Sequence, residues 1–154
     1  MSLPITLATA GLVCAICMGL PASFDVGAQS AGAAPPRSVW DGVFTVDQAR
    51  RGEALYDSHC ASCHQFGLEG DGLDVPGLTG PEFRQKWDRR TLMGLFSLVS
   101  MSMPQQAPGS LTPSEYVDII GYILEKNAFP SGQRPLTVVP AELEGVSLEG
   151  RRSP

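Results

Sequence analysis

Apolar side chains recur at helical spacing in three parts of the chain, and each part begins with residues suited to cap a helix. Thr45 and Gln48 form a capping-box pattern that predicts a helix over about residues 46–58. Asp88 precedes an apolar stretch and predicts a helix through about Val99. Thr112-Pro113-Ser114-Glu115 combines a capping box with proline at the first helical position, which predicts a helix to about Lys126. The inward faces are Ala49, Gly52 and Tyr56, then Leu92, Leu95, Phe96 and Val99, then Tyr116, Ile119, Ile120 and Ile123.

Between these helices, glycine and proline are too frequent for regular structure. Residues 65–80 form the longer predicted loop, with Pro76 and five glycines, and residues 100–110 form the second. A loop this long in a small domain needs a reason to be ordered, and wrapping around a cofactor would provide one. The pattern predicts an all-α domain over residues 40–130, with three to four helices and long loops.

The two ends of the chain differ from this domain. Residues 3–20 form an apolar run without a charged side chain, and small residues follow, so residues 1–28 are predicted to be a secretory signal peptide. No Lys or Arg precedes the run, which leaves a retained membrane anchor as the alternative. Residues 29–39 are predicted to be a flexible lead-in, and residues 131–154 a largely unstructured tail. The net charge of −5 argues against nucleic acid as a partner.

The candidate chemistry lies in Cys60-Ala61-Ser62-Cys63-His64, the C-x-x-C-H attachment signature of a c-type haem. Two thiols at this spacing can add to the two vinyl groups of one porphyrin, and the imidazole then falls under the iron. A redox dithiol would be expected near a βαβ pattern, which is missing from the sequence around this motif. A zinc site needs four ligands, and His59 and His64 are the only histidines of the chain.

The second axial position of the iron has two candidate ligands. Met103 is favoured because the following Pro104 fixes the local backbone and could hold the sulfur over the iron. Met101 is the runner-up, since alternate residues of an extended loop share a face. Ligation by His64 and Met103 would leave no open site and suit an electron carrier. An open site would instead suggest a haem sensor or a catalytic haem protein.

In the order of these elements the chain resembles the small single-haem class I cytochromes c. The resemblance covers about residues 43–130 and implies a cytochrome c fold wrapped around one covalently bound haem c and its iron. It implies that Cys60 and Cys63 form the thioethers, that His64 is the proximal ligand and that Met103 is the distal one. Residues 76–80 resemble the P-x-L-x-G loop, in which the carbonyl of Pro76 would accept the ring N–H of His64. Trp87 resembles the tryptophan that reaches a haem propionate.

The second half, from Met103 to Leu124, is similar to the haem domains that accompany periplasmic quinoprotein-type dehydrogenases. This resemblance implies a periplasmic protein without enzymatic activity of its own. Such a protein would carry single electrons between a dehydrogenase and the respiratory chain, with an oxidase or another cytochrome as acceptor. It would contact the membrane only if the leader were retained.

Overall fold

The computed structural model describes residues 37–149, and the predicted signal peptide at 1–28, most of the lead-in and the last five residues lie outside them. In the described part, six helices and three short strands alternate with loops. The helices are α1 (Val46–His59), α2 (Ala61–His64), α3 (Gly80–Trp87), α4 (Leu92–Ser102), α5 (Pro113–Lys126) and α6 (Pro140–Glu144). The strands are β1 (Arg37–Ser38), β2 (Arg90–Thr91) and β3 (Val146–Leu148), and Val39–Asp41 form a 3₁₀ turn. The predicted helical architecture is confirmed, with more helices than the expected three to four.

Helices α1 and α5 form the largest helix pair of the domain. Gly52 lies at the crossing, where a β-carbon would collide with the backbone carbonyl of Asp118, so only glycine permits this approach. The rings of Tyr56 and Tyr122 meet beside it with centroids 5.3 Å apart. Arg51 pairs with Asp118 through two bonds, Nε–Oδ2 at 2.8 Å and Nη2–Oδ1 at 2.9 Å. Because the Asp118 side chain is only 13% exposed, this bidentate pair ties the two helices together.

The start of α1 differs from the predicted capping box in one half. Thr45 caps the helix as predicted, since its hydroxyl accepts the N–H of Gln48 at 3.2 Å. The Gln48 amide does not return to Thr45 but bonds the N–H and the carbonyl of Leu136, at 2.8 and 2.9 Å. Gln48 is only 1% exposed, so both halves of its amide need such partners. This residue fixes the chain that follows the predicted domain.

The predicted helix starting at Asp88 is wrong in its boundaries. Asp88 is the C-cap of α3, and Thr91 is the N-cap of α4, where its hydroxyl accepts the N–H of Gly94 at 3.2 Å. Asp88 and Thr91 both precede the same apolar run, and tertiary contacts determine which of them caps the helix. Arg89 adopts a positive φ of 59°, and the β2 residues after it pair with β3. Helix α4 therefore starts later and extends to Ser102, into the predicted second loop.

The expectation of a largely unstructured tail is wrong for residues 131–149. They contain α6 and β3, and β3 is the central strand of a sheet with the order β1-β3-β2. It pairs in parallel with β1 and antiparallel with β2. Four apolar residues of this segment are buried in the common core: Leu136, Leu143, Val146 and Leu148. Their irregular spacing hid them from a search for helical or strand periodicity.

Within residues 37–149, every helix is too short or too polar to cross a membrane.

Candidate functional site

The C-x-x-C-H motif forms a tight turn at the junction of α1 and α2. The N–H of Cys60 still bonds the carbonyl of Tyr56 at 2.8 Å, and the N–H of His64 bonds the carbonyl of Cys60 at 2.9 Å. Both thiols are free and partly buried, and the His64 side chain is buried. One short helical turn thus carries two thiols and one imidazole.

The surroundings of the thiols disfavour the two alternatives to haem attachment. Burial, with a smaller contribution from Cys63, raises the pKa of the Cys60 thiol to about 11. A redox dithiol needs a lowered pKa so that a thiolate can attack. Among the described residues, no group of three or more His, Cys, Asp or Glu side chains is arranged to hold a metal ion. The raised pKa of Cys60 is the opposite of what a thioredoxin-like site needs.

The segment of residues 65–79, here called the Pro76 loop, returns to His64. The carbonyl of Pro76 lies 2.9 Å from Nδ1 of His64, which is the contact that the family resemblance implied. With the ring N–H donating to this carbonyl, the second ring nitrogen, Nε2, keeps its lone pair free to bind a metal. The loop therefore fixes both the orientation and the tautomer of the imidazole.

The Pro76 loop is braced from within. The Asp71 carboxylate accepts the N–H groups of Leu73 and Val75 at 2.9 and 2.8 Å, and these bonds hold the pKa of Asp71 below its usual range. The N–H of Leu78 bonds the carbonyl of Leu68 at 2.7 Å. Gly70 has a φ of 70° and lies so close to the backbone of Val75 that a β-carbon would not fit. The glycines that predicted a loop here also permit its tight fold.

Asn127, at the end of α5, ties the Pro76 loop to the helix pair. Its Oδ1 accepts the N–H of Gly80 at 3.1 Å. Its Nδ2 donates to the carbonyls of Leu78 and Ile123, both at 2.9 Å. The sequence analysis did not identify this role, because the loop partners of Asn127 lie almost fifty residues earlier in the chain.

The two candidate methionines fall in different environments. Met101 lies in the last turn of α4 and is 77% exposed, so the expected extended loop that would align it with Met103 does not form. Met103 is the C-cap of α4, is partly buried and lines the same cavity as His64. It begins the segment of residues 103–111, here called the Met103 segment. Its role as a ligand remains a prediction.

Helix α3, which the sequence analysis missed, brings several residues to the cavity. Trp87, its last residue, is buried and lines the cavity, and its ring lies 6.3 Å from that of Phe83. Lys86 lines the same cavity, and the Arg90 guanidinium stacks 5.7 Å above the Trp87 ring. The sequence signals for this helix are Pro81 and Glu82 in its first turn and Arg84 and Lys86 in its last turn. The propionate role predicted for Trp87 is not tested by these contacts.

The predicted site residues surround one partly open cavity. Cys60, Cys63, His64, Pro76, Trp87 and Met103 all line it. The rest of its wall is mostly apolar, including Leu78, Phe83, Leu95, Leu98, Val99, Ile119 and Ile123. Two thiols, one oriented imidazole, one thioether and an apolar wall are the donor set and the surface that a covalently attached haem requires. The residues therefore fit this cofactor.

Comparison with protein families agrees with this chemistry. A family model described as cytochrome c oxidase, cbb3-type, subunit III matches residues 47–123, half of the chain. The chain belongs to this family. It is a c-type cytochrome with the all-α cytochrome c fold, and the cofactor of this family is covalently bound haem c with its iron. Comparisons with curated proteins and with solved structures gave no match.

The match covers the helices that form the cavity and ends before the segment with α6 and β3. Haem-based electron transfer is the function of c-type cytochromes, whose domains typically lie outside the cytoplasm. The family description names an oxidase, and that name applies to the proteins for which the family was described.

Proposed function

We propose that this protein is a single-haem electron carrier in which His64 and Met103 are the axial ligands of the iron. The observation that carries the proposal is that both residues line one apolar cavity, with Cys60 and Cys63 in the same wall. The chain has one C-x-x-C-H motif, which supports one haem. Bound there, the haem supplies one-electron exchange between Fe(II) and Fe(III).

The proximal side of the site is prepared by His64 and Pro76. The bond of 2.9 Å from Nδ1 to the Pro76 carbonyl leaves Nε2 as the nitrogen that would hold the iron. A hydrogen bond to the far side of the ring makes the imidazole a better electron donor. Cys60 and Cys63 would keep the cofactor attached through their two thioether bonds.

The distal side favours a carrier over a sensor or a catalyst. A thioether from Met103 would occupy the sixth position of the iron and leave no place for oxygen, peroxide or a substrate. Fixed ligands on both sides mean that little moves when the electron arrives or leaves. The alternative, an open distal site, would require Met103 to point away from the cavity that it lines.

The mouth of the cavity supports brief docking of a protein partner. Pro104, Gln105 and Gln106 are uncharged residues of the Met103 segment that line the cavity. Uncharged surfaces of this kind suit the small interfaces of redox encounters, which bury less than about 1,200 Å². The partner could then leave soon after transfer.

The proposed setting is the periplasm, with a dehydrogenase as electron donor and the respiratory chain as acceptor. The signal-peptide pattern of residues 1–28 and the similarity to dehydrogenase-associated haem domains support it. The matching family description names an oxidase subunit, which supports an oxidase as one possible acceptor.

The test begins with the full chain produced in a host that attaches haem c. We expect a band that stains for haem after denaturing electrophoresis, and a redox titration with a single one-electron wave. The variant carrying both Cys60→Ser and Cys63→Ser should lose the stained band. An unstained wild-type band would overturn covalent attachment. Rapid binding of carbon monoxide to the reduced wild type would support the open-site alternative.

A further inference from the structure

The backbone of Met103 is held from two helices at once. Its N–H donates to the carbonyl of Val99 at 2.9 Å, which completes the last turn of α4. Its carbonyl accepts a bond of 2.7 Å from the hydroxyl of Tyr116, on α5. The residue that starts the Met103 segment therefore has both of its backbone hydrogen-bonding groups engaged, one by each helix.

Tyr116 is itself held in a fixed position. It lies in the first turns of α5, directly after the capping box in which Thr112 and Glu115 satisfy each other's backbone N–H groups. Its side chain is 2% exposed, and its ring meets that of Phe96 edge-on with centroids 6.4 Å apart. The close packing of α5 on α1 at Gly52 anchors the helix further. The hydroxyl is thus a rigid reference point for Met103.

Packing alone does not account for a tyrosine at this place. The apolar stripe of α5 needs only the ring, and a buried hydroxyl is costly unless it has a partner. Here the partner is the carbonyl of the predicted distal ligand, 13 residues earlier in the chain. From the sequence, Tyr116 was assigned only to the inward face of the helix.

We propose that Tyr116 is a positioning residue for the distal ligand, whose hydroxyl holds Met103 in the ligating conformation. This inference rests on the proposed function, in which the Met103 sulfur binds the iron. A thioether is a neutral ligand. The fraction of molecules in which it binds the metal depends on how often the backbone holds it within reach of the metal. Fixing the backbone beforehand removes part of the entropy cost of ligation.

The proposal makes a prediction about competition for the iron. An external ligand reaches the ferric iron only in the fraction of molecules in which Met103 has left it. Removing the hydroxyl with Tyr116→Phe keeps the ring and weakens the hold on Met103. Since one hydrogen bond contributes about 0.5–1.5 kcal/mol, the variant should bind imidazole about two- to tenfold more tightly than the wild type.

The experiment titrates imidazole into the oxidised, haem-loaded proteins and follows the absorption band at the red edge of the visible spectrum that reports sulfur–iron ligation. Tyr122→Phe is the matched control, because it removes the hydroxyl of a second buried tyrosine on α5. The ring of Tyr122 meets that of Tyr56. We expect imidazole affinity to rise for Tyr116→Phe and to stay at the wild-type value for Tyr122→Phe. Urea unfolding of both variants separates local release of Met103 from general destabilisation.

Three results would overturn the inference, each for a different reason. If the wild type has the band and both variants bind imidazole as it does, Tyr116 does not position the ligand although the proposed function stands. If affinity rises equally for both variants in proportion to their loss of stability, the effect is structural. A wild-type protein without the band would overturn Met103 ligation itself, and the positioning role with it.

Discussion

The Pro76 loop and the Met103 segment enclose the same cavity but are held in different ways. The Pro76 loop is braced by its own Asp71, by a backbone bond between Leu68 and Leu78, and by Asn127 from α5. The Met103 segment is anchored to the helices mainly at its first residue, through Val99 and Tyr116. Residues 105–110 are exposed and carry short-range turn bonds such as that from the N–H of Ala107 to the carbonyl of Pro104.

This difference indicates which side of the site should open first. Segments with few buried contacts and exposed backbone open at a lower free-energy cost than segments braced on several sides. The His64 side should therefore persist when the protein is stressed, whereas the Met103 side should be the first to release its ligand.

The largest effect is expected when one axial residue is removed from each side. His64→Ala should lower the yield of haem-loaded protein by at least on the order of tenfold, because even loss of a partner of a metal ligand costs about 10–100-fold in affinity. Met103→Ala should keep its covalent haem and gain an open site. The measurement is haem content per protein after purification. Equal yields of the two variants would contradict the asymmetry.

A smaller but still large effect is expected from Asn127→Ala. The substitution leaves the N–H of Gly80 and the carbonyl of Leu78 without their partner, so we expect a loss of about 2–4 kcal/mol in the free energy of unfolding. Urea unfolding of the haem-loaded protein measures it, with Gln133→Ala as an exposed amide control that should change stability by less than about 0.5 kcal/mol. A loss no larger than that of the control would show that the Pro76 loop does not depend on this brace.

The smallest effect is a dependence on pH that arises in the Pro76 loop. The N–H groups of Leu73 and Val75 lower the pKa of Asp71, so its carboxylate stabilises the folded state above its unfolded pKa of about 3.9. This contribution is lost as the pH falls through the lowered value. Asp71→Asn should be less stable than the wild type at pH 7, and the difference should shrink below about pH 4. Urea unfolding midpoints across this range provide the measurement, and a difference independent of pH would contradict the assignment.

The parts of the site that the sequence predicted are those with local signals. Cys60, Cys63 and His64 are defined by spacing within one turn, and α1 and α5 begin at caps that need no distant partner. The bond from His64 to Pro76 spans only twelve residues and followed from the resemblance of the loop. Gly52 was placed on the inward face of α1, and the crossing with α5 supplies the packing reason that a glycine inside a helix needs.

The parts that the sequence did not predict depend on distant contacts. Thr91 rather than Asp88 starts α4, because β2 pairs with β3 more than fifty residues later. The Gln48 amide completes no capping box, because Leu136 takes both of its groups. Both contacts involve the segment after residue 130, which lacks periodicity. Met101 was a candidate ligand only while α4 was expected to end at Val99.

The most direct test of the His64 and Met103 site is the absorption spectrum of the oxidised, haem-loaded wild type beside Met103→Ala and Met101→Ala. Met101 is the matched control, since it is an exposed methionine two residues away. We predict that the band reporting sulfur–iron ligation is present in the wild type, unchanged in Met101→Ala and lost in Met103→Ala. A Met103→Ala protein that keeps the band would contradict the account.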